Sequence, residues 1–279
     1  MHIGSNLQRQ ERLKIICDIG MRIFKKQRKA NVNQSITVTG IVLSVTPIGE
    51  YDKRVVILTK ERGRLSAFAK GARKPNSPLG GAVSPFCFGE FILYEGRTSY
   101  NIMQVNIANY FQELRSDMEA AYYGFYFMEF AEYYTREYND ETQMLKLLYQ
   151  TLRALTNKNI SNALVRCIFE LKAIYINGEG PQVFQCVKCG DTERPVVFSA
   201  KEGGVVCNEC MQGVFDDMEI DTSTLYAMQY IASSTIEKLY TFTVADSVLR
   251  NLKKIIERYI SVYIDKQFKS LEILEICVK

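Results

Sequence analysis

The sequence predicts an α+β protein: a small N-terminal β-barrel, followed by an α-helical domain with an inserted four-cysteine ribbon. Three observations support this prediction. Residues 36–110 have the pattern of five short strands, a helical period begins after residue 110, and two C-x2-C pairs interrupt the helical part. The expected units are a basic extension at 1–35, a barrel at 36–110, a helical domain at 111–183, a ribbon at 184–215, and C-terminal helices at 216–279 that pack on the helical domain.

The composition is that of a globular protein with room for about two domains. The 279 residues are 47% hydrophobic and 24% charged, and no apolar run approaches the roughly 20 residues that a membrane span requires. The N-terminus lacks the pattern of a secretory signal, so the chain is expected in the cytosol. His2 is the only histidine, and no glycine-rich phosphate loop is present. These features predict a binding protein that is not an enzyme, with no small-molecule substrate and no membrane partner.

Positive charge is concentrated in the first 110 residues. Residues 1–35 hold 8 Lys or Arg against 2 Asp or Glu, residues 36–110 hold 9 against 5, and residues 111–279 hold 18 against 24. Like charges gathered on one module favour a polyanion partner at that end, although charge alone would equally suit a solvated face. The basic extension is interpreted as an extra nucleic-acid-binding arm or, if translation starts at Met21, as an artefact up to that residue.

The barrel prediction depends on segments rich in β-branched and aromatic residues that are separated by turn signals. Closing five short strands into a barrel removes their exposed edges. The length is typical of an OB-fold, and an SH3-like barrel is the structural alternative. The predicted strands are 36–45, 55–58, 64–69, 86–94 and 99–107.

The longest irregular stretch of this unit, residues 70–81, contains Lys70, Arg73 and Lys74 together with two prolines. A connection of this length and composition is not expected to pack as core. It is therefore either functional or disordered, and the concentration of charge favours function.

After residue 110 the hydrophobic period becomes that of α-helices. The first of them contains nine aromatic residues between positions 122 and 138, more than one buried stripe can use. Most are interpreted as core, with positions 122, 126, 130 and 133 on the buried track, and the remainder are available for a partner groove. The predicted helices are 114–138, 141–156, 162–177, 221–239 and 245–269.

The most specific motif consists of two C-x2-C pairs, Cys186 with Cys189 and Cys207 with Cys210, separated by 17 residues. This spacing is typical of a zinc ribbon, in which Zn²⁺ takes four thiolates and keeps no open position for water, so one structural zinc ion per chain is expected. A disulfide pair is disfavoured in a reducing cytosol, and a redox centre would need only one pair. The other four cysteines are interpreted as inert core or surface thiols: Cys17, Cys87, Cys167 and Cys277.

The order of these parts, together with several short motifs, resembles the bacterial DNA repair protein family RecO. The resemblance runs from about residue 37 to the C-terminal helices. Two features depart from it: the family begins only a few residues before the first strand, and zinc is not universal among its members. The matching motifs are Thr39–Leu43, Glu61–Arg64, Ala69–Arg73, Pro85–Phe86 and Tyr175–Phe184.

This resemblance implies a recombination mediator of the RecF pathway. Such a protein binds single- and double-stranded DNA, anneals complementary strands and, with RecR, helps load RecA onto strands coated by single-strand-binding protein. The implied partners are these two forms of DNA, RecR, single-strand-binding protein and, indirectly, the RecA filament, in the cytoplasm at the nucleoid. Phosphate contacts are assigned first to Lys70, Arg73 and Lys74 and second to Arg62 and Arg64.

Two other functions are consistent with parts of the sequence. A protein-binding adaptor would use the barrel and ribbon only as scaffolds, but it gives no reason to gather positive charge on residues 1–110. A zinc-dependent hydrolase would need an open ligand position at the metal, which a four-cysteine site lacks. The sequence does not separate DNA from RNA binding, and it leaves open which of the barrel aromatics face outward: Phe68, Phe86, Phe88, Tyr94 or Tyr100.

Overall fold

The computed structural model describes residues 35–193 and 195–278. The basic extension lies outside the described residues apart from Ser35, and so does Cys17. No helix among the described residues is long and apolar enough to cross a membrane.

The N-terminal unit is a closed barrel of five strands in the order β1-β2-β3-β5-β4. Antiparallel pairs join all neighbours except β3 and β5, which run parallel and close the barrel at Ala67–Tyr100 and Phe68–Asn101. This is the topology of an OB-fold, so the prediction of such a barrel is confirmed. The strands are β1 (Ser35–Ile48), β2 (Asp52–Thr59), β3 (Gly63–Ala69), β4 (Phe88–Glu95) and β5 (Tyr100–Asn109).

The long connection between β3 and β4 is ordered by turns and closes one end of the barrel. Its backbone forms successive i to i+3 hydrogen bonds, such as Lys74 N–H to Gly71 O at 3.0 Å. Leu79 and Val83 from this connection lie in the apolar core inside the barrel. The prediction that the loop would not pack as core is therefore wrong, because its few apolar side chains plug the barrel while its charged ones face solvent.

The helical part precedes and follows the ribbon. The observed helix boundaries agree with the predicted ones for the segments 141–156 and 162–177 and differ for the other predicted helices. The first four helices are α1 (Gln112–Ser116), α2 (Met118–Tyr134), α3 (Thr142–Ala154) and α4 (Asn162–Ile176). After the ribbon follow α5 (Thr222–Ser233), a 3₁₀ turn (Ile236–Lys238), α6 (Asp246–Tyr263) and α7 (Lys269–Cys277).

Three predicted helices are broken. The helix predicted at 221–239 ends at Ser233 and is followed by the 3₁₀ turn, and the other two breaks have a local and a tertiary cause. The segment predicted at 114–138 is interrupted at Asp117, whose extended backbone and carboxylate cap the first turn of α2 by accepting the N–H of Ala120 at 3.1 Å. The segment predicted at 245–269 stops at Tyr263, because the buried Phe268 turns into the core and stacks on Phe130 with ring centroids 5.2 Å apart. Single-sequence periodicity does not contain such a break.

The aromatic helix α2 is mainly a core element, as predicted, but the buried track differs: Tyr123 and Phe127 are buried, whereas Tyr122 and Tyr133 are only partly buried. Tyr126, Phe127 and Phe130 are fully buried, and their rings contact Phe169 of α4 or Phe268.

The barrel strand predicted at 86–94 begins two residues later in the structure, at Phe88. Phe86 has a left-handed backbone (φ +72°) and belongs to the turn before β4.

One wall of the barrel is part of the same core as the helices. The outward side chains of Ile41, Leu43 and Leu58 are buried in that core together with Phe86. The ribbon joins it as well, through Phe198, whose ring lies 6.0 Å from Tyr259 of α6. The ribbon sheet has the order β7-β6-β8, with β6 (Pro195–Ser199), β7 (Gly204–Cys207) and β8 (Asp217–Glu219).

A buried ionic network joins four helices. The guanidinium of Arg166 on α4 donates to Glu170 at 2.8 Å, and the same carboxylate accepts the hydroxyl of Tyr126 on α2 at 2.6 Å. Arg166 also reaches Glu257 on α6 at 3.2 Å and Glu275 on α7 at 3.9 Å. Because Arg166 and Glu170 are both buried, each neutralises a charge that would otherwise be costly in the core.

Replacing Arg166 by Leu is expected to lower the free energy of unfolding by about 3–5 kcal/mol, because it leaves the Glu170 carboxylate buried without its cation. Urea denaturation followed by circular dichroism measures this loss. The double variant Arg166→Leu/Glu170→Gln should be more stable than Arg166→Leu alone, since it removes the orphaned charge and keeps an acceptor for Tyr126. As a control, Lys158→Ala breaks only an exposed pair and should leave the midpoint almost unchanged. A double variant no more stable than the single one would contradict the charge argument.

Candidate metal centre and nucleic-acid interface

The four ribbon cysteines occupy two tight turns that face each other. In the first turn the N–H of Gly190 donates to the carbonyl of Cys186 at 2.9 Å, and Gly190 has the left-handed backbone (φ +81°) that glycine adopts without strain. In the second turn the N–H of Cys210 donates to the carbonyl of Cys207 at 3.1 Å. The pairing of β6 with β7 brings the second turn back to the first.

The sulfur atoms of the four cysteines form one cluster. All four ligand atoms lie within 4.8 Å of one another, and the sulfurs of Cys189 and Cys207 are 3.6 Å apart. Tetrahedral coordination by thiolates at about 2.3 Å places sulfurs about 3.8 Å apart, so the cluster could hold a metal ion. Every one of them is a free thiol, so the disulfide alternative finds no support among the described residues.

The electrostatics of the cluster favour a bound cation. Burial raises the pKa of Cys186, but backbone N–H groups of Cys207, Cys189 and Lys188 outweigh burial and lower this pKa to about 6. The neighbouring sulfurs of Cys189 and Cys207 raise the pKa of Cys210 to about 12. Four sulfurs this close are not all ionised without compensating positive charge, and a divalent cation supplies that charge.

The basic loop after β3 is held against the hairpin that joins β1 and β2. The N–H of Arg73 donates to the carbonyl of Tyr51 at 2.8 Å, and its guanidinium donates to the carbonyl of Gly49 at 3.0 Å. The N–H of Gly71 donates to the Asp52 carboxylate at 2.7 Å. The ammonium of Lys74 lies 5.4 Å from the centre of the Tyr51 ring. Loop and hairpin therefore form one ordered surface at this end of the barrel.

Lys70, Arg73 and Lys74 are exposed on this surface. Within the described ranges 35–193 and 195–278, none of the three forms an ion pair with a carboxylate. An exposed cation that forms no ion pair remains available to an anionic ligand, here next to the Asp52 carboxylate that accepts the Gly71 N–H. The structure thus brings together the three cations that the sequence analysis ranked first.

Arg62 and Arg64 lie at the opposite end of β3, where the barrel meets the helices. Arg62 lies 3.9 Å from the Glu95 carboxylate, and Arg64 donates to the main-chain carbonyl of Glu132 at 2.7 Å. The turn between them requires Gly63, because a Cβ there would stand 2.3 Å from the carbonyl oxygen of Arg136. The structure does not bring these two arginines together with the 70–74 loop, and their assignment to phosphate stays a prediction.

Two further residues of the surface formed by the 70–74 loop and the β1–β2 hairpin were not predicted from the sequence. Arg54 on β2 is exposed and donates to Ser66 Oγ across the strand pair at 2.8 Å. Tyr51, at the hairpin, is 43% exposed. The alternation of inward and outward side chains along β2 could have identified Arg54 as an outward residue. Val56 obscures this pattern, because it lies on the same face but is apolar and packs on the helical core.

Comparisons with known proteins agree with this architecture. The sequence models described as "Recombination protein O N terminal" and "Recombination protein O C terminal" match residues 34–111 and 115–272. The DNA repair protein RecO of Alkaliphilus metalliredigens is 33% identical over 240 residues, which cover 85% of this chain and 98% of that protein. The DNA repair protein RecO of Acetivibrio thermocellus is 29% identical over 241 residues, covering 86% and 96%. The chain therefore belongs to the RecO family.

Proposed function

We propose that this chain is a DNA repair and recombination mediator that binds single- and double-stranded DNA through the 70–74 loop of its barrel. The proposal rests mainly on one observation: three exposed cations without carboxylate partners stand on an ordered loop at the end of an OB-fold. OB-folds bind oligonucleotides with the face of strands 2 and 3 and the loops that follow strands 1 and 4. The 70–74 loop is hydrogen-bonded to the first of these loops, the β1–β2 hairpin. Family membership, shown over both halves of the chain, supports the same role.

The chemistry of the surface suits binding without sequence preference. Lysine and arginine side chains contact phosphates, which are the same at every nucleotide, so they add affinity and set no sequence. The loop is already ordered by its bonds to the hairpin, so little conformational entropy is lost when a strand binds. Lys70, Arg73 and Lys74 are the proposed principal contacts, with Arg62 and Arg64 as secondary ones.

The proposal extends to the process that the family name implies. The protein would hold complementary strands for annealing and, with RecR, help load RecA onto strands coated by single-strand-binding protein, in the cytoplasm at the nucleoid. None of these steps makes or breaks a covalent bond, so no catalytic group is required. Electrostatic binding that is reversible and sequence-independent suits a protein that transfers strands between partners.

We also propose that the four-cysteine cluster binds one structural Zn²⁺. Four thiolates in a closed tetrahedral set favour Zn²⁺ over harder cations such as Mg²⁺ or Ca²⁺, which prefer oxygen ligands. The described ribbon has a very small apolar core of its own, with Val197 and Val206 beside the buried Cys186 and Cys207. Metal binding would therefore supply much of the free energy that keeps this segment folded.

The double variant Lys70→Ala/Arg73→Ala is expected to bind single-stranded DNA more weakly for all sequences alike. Its slope of log affinity against log salt should be shallower by about 1.4, because each lost phosphate contact removes about 0.7 on single strands. A fluorescent oligonucleotide titrated across a salt series measures both quantities.

The matched control for this experiment is Lys253→Ala/Lys254→Ala, which removes the same charge from an exposed face of α6. This control should keep the slope of the unaltered protein. An unchanged slope in the loop variant would place the phosphate site elsewhere, and no binding by the unaltered protein at low salt would favour the adaptor function.

The purified protein is expected to contain one zinc ion per chain, and Cys189→Ser should lose most of it because three thiolates hold the ion less well. Elemental analysis together with limited proteolysis of the ribbon checks both statements. Cys277→Ser, which alters an exposed cysteine far along the chain, is the control and should retain its zinc. A zinc content well below one per chain in the unaltered protein would contradict the metal assignment.

A further inference from the structure

The register of the barrel strands shows which side chains share its solvent-facing wall. Thr46, Arg54, Phe68 and Asn101 are consecutive cross-strand neighbours on β1, β2, β3 and β5. Their sequence neighbours Val55, Ala67 and Tyr100 point into the barrel and are buried. Because side chains alternate along a strand, the first four lie on the outer surface as one transverse row.

Phe68 is the aromatic member of this row. It is partly exposed, and among the described residues it packs neither into the barrel interior nor into the helical core. Its ring is a candidate contact for a ligand.

The other four barrel aromatic residues that could have faced outward are buried in a core, pack against one, or contact a neighbouring residue. Phe86 is buried in the core shared with the helices, and Phe88 packs against that core with its ring 4.6 Å from Tyr149. Tyr100 is buried inside the barrel with its hydroxyl 3.1 Å from that of Tyr138. Tyr94 is 36% exposed and engaged with a neighbour. Among these five rings Phe68 is therefore the one that lies beside the loop cations and in neither apolar core. On the same surface Tyr51 is more exposed, but the Lys74 ammonium lies over its ring.

Cations surround Phe68 on two sides. Arg54 is its direct cross-strand neighbour and lies along the same surface through its bond to Ser66. Lys70 follows two positions later in the chain, about 7 Å away along an extended backbone, and leads into the loop with Arg73 and Lys74. A ring flanked by cations matches a nucleotide, whose flat base and anionic phosphate stand a few ångströms apart.

We propose that Phe68 is a stacking platform for an unpaired nucleobase, with Arg54 beside it and the phosphates held by the loop cations. This inference rests on the proposed function and adds a basis for preferring single strands. In a duplex both faces of each base are covered by neighbouring bases, so duplex DNA uses only the phosphate contacts. A single strand gains the stacking contact as well.

A protein ligand fits this surface less well than a nucleic acid. An apolar protein interface excludes charge from its centre, whereas here the ring lies next to Arg54 and within a few residues of three cations without carboxylate partners. Base stacking tolerates all four bases, because each has a π-face, so the platform is consistent with binding that reads no sequence.

The test uses the absence of tryptophan from the sequence. Phe68→Trp introduces a single indole at the platform, and its emission should be quenched when oligothymidine binds but not when an abasic strand of the same length binds. Phe215→Trp is the matched control, because Phe215 is 92% exposed beside the ribbon and its emission should not respond to either strand.

A second variant measures the contribution to affinity. Phe68→Leu keeps an apolar side chain without a π-face and should weaken oligothymidine binding by about 5-fold to 150-fold, the effect of one lost stacking contact. Binding of the abasic strand and of duplex DNA should stay unchanged, as should all affinities of Phe215→Leu.

The outcomes separate the two proposals. Unquenched emission from Phe68→Trp at saturating oligothymidine, or equal weakening of the thymine and abasic strands by Phe68→Leu, overturns the stacking inference and leaves the phosphate site intact. No binding of any strand by the unaltered protein overturns the proposed function and the stacking inference with it. Selective loss of thymine-strand affinity together with quenching supports both.

Discussion

The placement of the barrel on the helices depends on close packing at Phe86 and Gly124. The Phe86 ring occupies space that a side chain at position 124 of α2 would need, since a Cβ there would stand 2.7 Å from the ring. Phe86 reaches this position with a left-handed backbone at the end of the β3–β4 connection. Together with Ile41 and Leu58, it buries one barrel wall against the helices. The opposite wall and the loop end lie outside this joint.

The β3–β4 connection contributes both to the apolar core of the barrel and to its charged surface. Leu79 and Val83 plug the barrel interior, while hydrogen bonds to the β1–β2 hairpin hold Arg73 in place. Apolar burial thus supplies the free energy that fixes cations which would otherwise repel one another on a flexible segment. The same connection leads through Phe86 to the helical domain, so the charged surface and the domain joint are parts of one continuous segment.

The ribbon is attached to the helical core and has little stability of its own. Phe198 packs on Tyr259, and the main chain of Gln182 pairs with Gly204, where a Cβ would stand 2.2 Å from the Gln182 carbonyl oxygen. Beyond these anchors the four thiols hold the two turns face to face, and a bound cation would relieve their mutual repulsion. The ribbon is thus held at its base by packing, and its tip carries the cysteine cluster that could hold a metal ion.

The barrel, the helical body and the cysteine cluster could be predicted from the sequence, because strand alternation, helical period and C-x2-C spacing are local patterns. Helical periodicity did not reveal the break at Asp117, although an N-cap aspartate is a local signal. It could not reveal the break after Tyr263, since the Phe268 ring enters a core formed by residues distant in the sequence. The local density of positive charge likewise led to the prediction that Arg64 and Lys70 both contact phosphate. The tertiary structure shows that Arg64 contacts the helices whereas Phe68, on the same outer face of β3, packs into neither core, because the helices cover the start of that strand and not its end.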